Sequence, residues 1–315
     1  MQDSLVNLLI ILGAKLEGRR LGLADAGDPD GVVSAALFKR KYPDAAIVLA
    51  HPSSVQKGML YRAVRWDFVA DLPCPGRVRV YADHHETNTP CGEVNFHDPQ
   101  ASAAALLALQ ALGLEGDPVA RRLAELAVET DTANIVSAEA EALEASVKGA
   151  KHTEKLRLVE KLSEKGVEAL KEDPALRSSQ RFSVRKRRTE EFAYRLDSQQ
   201  VVIAFFRRDI GLSYRYLTIL LERRGARLVA LVVPRGLFTY RVYLGAQRGS
   251  GYDVSILAKM LGGGGHSYAA GALVHALTPK RAWSRLLSTA KELYKLDSVK
   301  AFVVESELEV REVDV

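Results

Sequence analysis

Short apolar runs alternate with helical patterns along the first half of the chain. The apolar runs predict strands, and segments with apolar residues at helical spacing predict helices between or after them. The predicted strands are 21–26, 46–50, 67–72 and 78–82, and the predicted helices are 32–40, 101–112 and 118–129. Because strands and helices alternate, we expect an α/β fold whose N-terminal domain is a mostly parallel sheet flanked by helices.

The second half of the chain predicts a smaller α/β domain of its own. A charged helical stretch ends the first half, and apolar periodicity then weakens before a new set of patterns begins. The new patterns are strands at 201–206, 228–233 and 239–244 and helices at 213–224, 253–260 and from 279. The sequence therefore predicts an N-terminal domain over 1–173, a linker over 174–196 and a C-terminal domain over 197–315.

The predicted linker contains four consecutive basic residues, Arg185 to Arg188. Such a cluster could follow a nucleic-acid backbone, or it could be the solvated face of a hinge segment. The sequence leaves both interpretations open.

Net charge, apolar runs and cysteine content say little about the function of the chain. The chain has 315 residues, with 44 Lys and Arg against 39 Asp and Glu, so a net charge of +5 fits a phosphate-bearing ligand without establishing one. The apolar run 4–13 is too short to span a membrane and predicts an opening core helix. With only Cys74 and Cys91, we expect a reducing, cytoplasmic location and no disulfide framework. A homodimer stays open.

Acidic and imidazole side chains follow the predicted strands and one predicted helix. Asp28 and Asp30 follow the first strand, Asp71 ends the third, and Asp83, His84 and His85 follow the fourth. Because ligands bind at the carboxyl ends of strands in open α/β sheets, these side chains could converge on a hard cation. The alternatives are an ordinary Asp-Pro-Asp-Gly turn and capping aspartates.

One more acid, Asp131, follows the predicted helix over 118–129, and each cluster has a competitor nearby. Glu129 competes with Asp131, and Asp67 competes with Asp71. A glycine run near the end of the chain, Gly262 to Gly265 followed by His266, could aim backbone N–H groups at an anion. A flexible loop is the alternative, and Arg248 and His266 favour a phosphate site.

Taken together, the motifs resemble those of the DHH phosphoesterase family over nearly the whole chain. The matching residues are Asp28, Asp30, Asp71, Asp83-His84-His85, Asp131-Thr132, Gly263-Gly264-Gly265-His266 and Ala269-Ala270-Gly271. The last two sets match the small DHH-associated domain. The length resembles that of the oligoribonuclease-like and 3′-phosphoadenosine-phosphate phosphatase-like members.

The resemblance implies a manganese site of one or two ions, with Mg²⁺ as the alternative ion, in a cleft between the domains. Asp30, Asp71, His84 and Asp131 would hold one ion, and Asp28 with Asp71 the other. His85 would contact the scissile phosphate, and Asp83 would orient His84. Arg248, Gly263, Gly264, Gly265 and His266 would bind the terminal phosphate or nucleotide of the substrate.

The chain departs from the family pattern at one position. A metal-binding histidine two or four residues before the first aspartate is replaced by Ala26 and Ala24. Asp25 lies between them, and strand alternation predicts that its side chain points to the opposite face. His51, after the neighbouring strand, is the other candidate. We therefore expect one ion to be weakly held or absent.

The predicted function is a manganese-dependent phosphodiesterase that hydrolyses short oligonucleotides to mononucleotides, with single-stranded nucleic acid as a further substrate class. Two related enzymes stay open, a cyclic-dinucleotide phosphodiesterase and a 3′-phosphoadenosine-phosphate phosphatase. An alternative of another class is a nucleic-acid-binding subunit that has lost hydrolysis, and the missing histidine is its main support.

Overall fold

A computed structural model describes residues 2–196, 199–296 and 299–314. The chain forms two compact units, one ending at Ser183 and the other beginning at Val184. This boundary falls inside a helix, Asp173–Ala193, which occupies most of the predicted linker. Residue 197, where the predicted second domain begins, lies outside the described residues.

Within the described part of the first unit, five strands form one parallel sheet in the order β2-β1-β3-β4-β5. The strands are β1 (Leu21–Asp25), β2 (Ala46–Ala50), β3 (Arg65–Ala70), β4 (Arg77–Asp83) and β5 (Gly92–His97). The helices are α1 (Gln2–Leu16), α2 (Pro29–Lys41), α3 (Pro52–Lys57), α4 (Met59–Arg62), α5 (Ala104–Ala111), α6 (Pro118–Asp131), α7 (Ala138–Gly149), α8 (His152–Lys165) and α9 (Asp173–Ala193), with a 3₁₀ helix at Gly166–Lys171.

Apolar side chains pack on both faces of this sheet, as expected of parallel strands covered by helices. One face packs against α2, α5 and α6 through residues such as Val33, Phe38 and Leu123. The other face packs against α1 through residues such as Ile11 and Trp66. Burial on both sides explains why β1 and β2 are apolar almost throughout.

The strand order places a topological switch point between β1 and β3. The chain proceeds from β1 to β2 on one side, and then returns to β3, β4 and β5 on the other side of β1. The connections at the carboxyl ends of β1 and β3 therefore leave the sheet in opposite directions and open a crevice there. The predicted acidic residues lie at these strand ends.

The second unit contains a mixed sheet in the order β12-β11-β6-β7-β8-β10-β9 within the described residues. Its strands are β6 (Val201–Phe206), β7 (Leu228–Gly236), β8 (Thr239–Ala246), β9 (Gly264–His266), β10 (Ala269–His275), β11 (Lys300–Val304) and β12 (Val310–Asp314). Its further helices are α10 (Tyr214–Arg223), α11 (Val254–Met260) and α12 (Pro279–Tyr294). Apolar clusters cover both faces of this sheet as well.

The predicted α/β class and the mostly parallel first sheet are confirmed. The sequence patterns missed β5, β9 and β12, because these strands are short, glycine-rich or largely exposed and lack a clear apolar period. They also missed β11, although it is an apolar, largely buried run of five residues. No helix among the described residues has the length and apolar character needed to cross a membrane.

One feature of the first unit was not expected. Cys74 and Cys91 form a disulfide with a Cα–Cα distance of 5.9 Å. It joins the connection between β3 and β4 to the residue that precedes β5, and these strands are neighbours in the sheet. Strand adjacency brings the two cysteines together, which their separation of 17 residues does not reveal.

Candidate metal centre

The turn after β1 positions the first pair of aspartates. Asp28 caps α2, since its carboxylate accepts a hydrogen bond from the Gly31 N–H at 3.3 Å. Asp30 lies two residues further, in the first turn of α2, and is buried, where its two oxygens accept hydrogen bonds from Ala104 N and Ala105 N at 2.7 Å each. The first turn of α5 therefore fixes the Asp30 carboxylate.

Asp71 follows β3 in an unusual backbone conformation. Its φ is +57°, in the left-handed region that a non-glycine residue rarely adopts. Its N–H donates to Ala82 O at 3.0 Å, so the turn stays attached to β4. The side chain is 2% exposed. A strained backbone of this kind is typical of functional sites, where the surrounding structure maintains it.

His84 stands at the centre of three carboxylates. Its Nε2 lies 3.7 Å from Asp30 Oδ2, 3.9 Å from Asp71 Oδ1 and 3.8 Å from Asp131 Oδ2. Its Nδ1 is 3.1 Å from Ala101 O, and because a carbonyl only accepts, Nδ1 carries the proton. The lone pair of Nε2 then faces the carboxylates, as a metal ligand requires. We call these four residues the His84 cluster.

Asp83 contacts His85, and the prediction that it orients His84 is wrong. Asp83 Oδ1 lies 2.9 Å from His85 Nδ1, because residues two apart at the strand end share a face. Asp83 is fully buried and also accepts hydrogen bonds from Tyr81 Oη at 3.1 Å and Asn88 Nδ2 at 2.8 Å. Ala101 holds the ring of His84 instead.

The two acidic competitors serve the backbone. Asp67 Oδ2 accepts from Leu21 N at 2.9 Å. Glu129 accepts from Val136 N, Ser137 N and Ser137 Oγ, which tie the end of α6 to the start of α7. Neither carboxylate belongs to the groups of potential metal ligands found among the described residues.

Asp25 is a residue that the sequence reasoning set aside. Donor atoms of Asp25, Asp28 and Asp71 all lie within 4.8 Å of one another, and we call these three residues the Asp25 cluster. Strand alternation does separate Asp25 from its neighbours, since Ala24 and Ala26 pack in the core beside α2. At the end of the strand, however, side chains of both faces reach the same crevice. The predicted face of Asp25 therefore agrees with the packing of Ala24 and Ala26, and Asp25 nevertheless reaches the site.

The crowding of carboxylates raises their pKa values. Burial raises the pKa of Asp30 and Asp71, and the nearby charge of Asp28 raises both further. Burial and the charge of Asp28 also raise the pKa of Asp25, although the Gly27 N–H and Lys155 oppose the rise. Without a cation, such a group resists ionisation.

The donor sets fit divalent cations. Donor atoms about 2.1 Å from one octahedral cation lie roughly 3.0 to 4.2 Å apart, and the three separations from His84 Nε2 fall in that range. Donor atoms of Asp30, His84 and Asp131 all lie within 4.8 Å of one another, and those of Asp71, His84 and His85 form a separate group by the same distance. Two buried carboxylate oxygens, Asp25 Oδ1 and Asp71 Oδ2, have no hydrogen-bond partner among the described residues. Carboxylates with one imidazole suit manganese, and carboxylates alone suit manganese or magnesium.

In the second unit, the glycine run forms a hairpin and not a flexible loop. Strand β9 pairs antiparallel with β10, with Gly264 opposite Gly271 and His266 opposite Ala269. A Cβ at Gly263 would lie 2.1 Å from Gly271 O, and one at Gly265 would lie 2.5 Å from Ala269 O. The close approach of two backbones therefore explains both glycines.

Two predicted substrate-binding side chains gather around Tyr268, which the sequence reasoning did not single out. The rings of His266 and Tyr268 stack with centroids 5.5 Å apart and an interplanar angle of 7°. The Arg248 guanidinium carbon lies 4.3 Å from the centre of the Tyr268 ring. His266 and Arg248 are exposed and Tyr268 half-buried. An exposed cation, an imidazole and an aromatic ring together suit a phosphate with an attached base; the binding role stays a prediction.

The basic cluster of the predicted linker lies in α9 and is largely used within the second unit. Arg188 donates to Ile210 O at 3.0 Å and pairs with Glu307. Lys186 lies 5.5 Å from the centre of the Tyr216 ring. The structure therefore favours a packed helix surface over a basic track for nucleic acid.

Comparisons with known proteins identify the fold. No protein-family model and no curated protein sequence matches the chain. Among solved structures, the pGpG-specific phosphodiesterase PggH from Vibrio cholerae is similar, with a TM-score of 0.61 and 16% identity over 87% of this chain and 99% of that one. Exonuclease RecJ bound to manganese has a TM-score of 0.57 and 16% identity, over 92% of this chain and 96% of that one. The DHH domain of a member of the s1p family of ribosomal proteins has a TM-score of 0.54 and 14% identity, over 92% of this chain and 90% of that one. At these identities the likeness shows a shared fold, and the fold implied by the sequence motifs is confirmed.

Proposed function

We propose that this chain, which has the fold of DHH-domain proteins, is a metal-dependent phosphoesterase that hydrolyses short oligonucleotides to mononucleotides. The observation that supports it most is the convergence of Asp30, Asp71 and Asp131 on His84 Nε2, within 3.7 to 3.9 Å. These residues come from four separate segments of the chain, and three carboxylates around one imidazole nitrogen form a donor set suited to a divalent cation.

The His84 cluster would hold a manganese ion, with Mg²⁺ as the alternative. A divalent cation bound there supplies Lewis-acid activation of a water nucleophile and neutralises charge on the phosphoryl oxygens. The residues of the chain fix its position. Asp30 is held by α5, His84 by Ala101 O, and Asp71 by its turn against β4. Such support keeps a site in a productive geometry before substrate binds.

His85 is suited to contact the scissile phosphate. Burial lowers its pKa, but the hydrogen bond with Asp83 and the Asp83 charge outweigh burial and raise the pKa to about 9. At neutral pH the ring is therefore protonated and can donate from Nε2 to a phosphoryl oxygen. A charge-assisted hydrogen bond of this kind stabilises negative charge as it develops in the transition state.

In the second unit, Arg248, His266 and the β9 backbone, which includes Gly264, are proposed to bind the terminal phosphate or nucleotide. Tyr268 joins this set, since it contacts both side chains. A stacked aromatic and imidazole pair accepts a base with little sequence preference. Because such a pair can stack on a base, this set of residues favours a nucleotide-containing substrate over a phosphomonoester without a base.

The test is Mn²⁺-dependent hydrolysis by the full chain and by His84→Ala. Substrates are dinucleotides, end-labelled single strands, cyclic di-AMP and 3′-phosphoadenosine phosphate, with Mg²⁺ as the second ion. We expect wild type to cleave dinucleotides fastest and His84→Ala to lose at least a thousandfold in kcat/KM, about 4 kcal/mol of transition-state stabilisation.

The matched control is His275→Ala, an exposed histidine at the end of β10 in the second unit. It should keep wild-type activity, and thermal melts should show all three proteins folded. Equal turnover by wild type and His84→Ala would refute the assignment. Binding of single strands without hydrolysis of any substrate would favour the non-catalytic subunit.

A further inference from the structure

Asp25 ends β1 and lies in the crevice beside Asp28 and Asp71. It is 6% exposed. We propose that Asp25 is a metal ligand, and that the Asp25 cluster forms a second cation position built from carboxylates alone. This inference rests on the proposed metal-dependent function and names a ligand that replaces the histidine missing at Ala24 and Ala26.

The first argument is a buried oxygen that accepts no hydrogen bond within the described part of the chain. Asp25 Oδ1 accepts no hydrogen bond among the described residues, and the same holds for Oδ2 of the adjacent Asp71. His51 Nδ1 lies 3.9 Å from Asp25 Oδ1, beyond hydrogen-bond distance, on a side chain that is 58% exposed. Lys155 donates to the Ala26 carbonyl oxygen. Two neighbouring buried carboxylates, each with an open lone pair, indicate a cation between them.

The second argument is the lack of room for an imidazole at the usual positions. Ala24 is 1% exposed and Ala26 is 2% exposed, and both pack among the apolar residues beside α2. A histidine in either place would have to displace that packing. The Asp25 side chain instead points to the opposite face at the end of the strand. It places a carboxylate in the crevice where the family pattern has a histidine nitrogen.

The third argument concerns ion selectivity. The Asp25 cluster offers oxygen donors only, whereas the His84 cluster adds an imidazole nitrogen. Oxygen-only sites suit hard cations such as Mg²⁺ and Mn²⁺, and an imidazole shifts preference toward later transition metals. We therefore expect Mg²⁺ to displace Mn²⁺ from the Asp25 cluster more readily than from the His84 cluster.

The test is Mn²⁺ binding to the full chain, measured by the electron paramagnetic resonance signal of free Mn²⁺. Wild type should bind two ions per chain, with the more weakly held one displaced first by Mg²⁺. Asp25→Asn should keep one ion at unchanged affinity and bind the second at least tenfold more weakly. The amide has the same size and removes a buried charge, so the fold should survive, as a thermal melt will show.

A second variant, Gly27→Ala, tests the Asp25 carboxylate without changing Asp25 itself. A Cβ at Gly27 would lie 2.8 Å from Asp25 Oδ2, so Gly27→Ala should displace the carboxylate and also weaken the second ion. The matched control is Asp44→Asn, an exposed aspartate before β2, which should bind two ions as wild type does.

Four results would overturn the inference. Two ions bound by Asp25→Asn at wild-type affinity would exclude Asp25 as a ligand. Loss of the second ion in His51→Ala with retention in Asp25→Asn would assign the position to the imidazole. One ion in wild type would show that the Asp25 cluster binds none, while the proposed function stands. No Mn²⁺ bound by wild type would remove both the inference and the proposed function.

Discussion

Asp83 Oδ1 lies 2.9 Å from His85 Nδ1 and so links a fully buried carboxylate to a half-buried imidazole. The carboxylate is held in turn by Tyr81 and Asn88. Because the hydrogen bond and the charge of Asp83 outweigh burial, the pKa of His85 rises to about 9. The pair therefore sets both the direction and the charge of the ring that we assign to the scissile phosphate.

Replacing Asp83 should lower the pKa of His85 and so favour the neutral ring. In metal-free Asp83→Asn we expect the pKa of His85 to fall below about 9, because the hydrogen bond and the charge of Asp83 are lost while burial, which lowers the pKa, remains and only the charges of Asp28 and Asp131 oppose it. Nuclear magnetic resonance titration of the His85 ring would measure it. The control is Glu86→Gln, an exposed neighbour that should leave the pKa unchanged. A pKa that stays near 9 in Asp83→Asn would contradict the assignment.

The metal-free protein should lose stability as pH rises. The pKa values of the Asp25, Asp30 and Asp71 carboxyls are raised in the folded state, and so is that of His85. Above pH 3.8 these four groups together bind more protons in the folded state than in the unfolded state, and this excess continues up to about pH 9 because of His85. Burial lowers the pKa of His152 and so acts in the opposite direction, but the four raised groups outnumber it, and we expect the free energy of unfolding to fall over this window.

Urea unfolding in a chelator at pH 5.5 and 7.5 would measure this slope. The two tryptophans, Trp66 and Trp283, lie in different units, so Trp283→Phe leaves Trp66 to report on the first unit. Asp71→Asn should flatten the slope and Asp44→Asn should not. Saturating Mn²⁺ should stabilise the protein more at pH 7.5 than at 5.5, because ligand carboxylates must be ionised. A flat metal-free profile would argue against the buried acid cluster.

The disulfide should stabilise the first unit. Closing a loop of 17 residues restricts the unfolded chain, which corresponds to about 3 kcal/mol. In the Trp283→Phe background, Cys74→Ala with Cys91→Ala should lower the free energy of unfolding by about that amount. Reductant should have the same effect on the parent and none on the double variant. An unchanged urea midpoint after reduction would show that the two sulfurs are not bonded.

Removing His266 should weaken substrate binding more than turnover. We expect His266→Ala to raise KM about tenfold, which corresponds to about 1.4 kcal/mol, with kcat within twofold. Tyr268→Leu should act in the same direction, because Tyr268 supports both His266 and Arg248. Steady-state kinetics on a dinucleotide would measure both, with His275→Ala as control. A loss confined to kcat would contradict a binding role.

Local signals made most of the fold predictable. Apolar runs of five or six residues predict the buried parallel strands, and Asp117 before Pro118 predicts the start of α6. The strands that were missed have little apolar period, as in β5, or depend on glycines that pack against another strand, as in β9. Such strands give no local signal even where they pair with a neighbour in sequence, as β9 does with β10.

The residues of the candidate site also divide into those that the local sequence predicts and those that only the fold brings together. The sequence by itself determined which side chains stand at the carboxyl ends of strands, since residue types and strand ends are local properties. Only the tertiary structure decided that Asp25 enters the crevice beside Asp71 and that Cys74 meets Cys91. These relationships depend on the order of neighbouring strands and on where each strand stops relative to the next, and both are set by packing of the whole sheet between its helices.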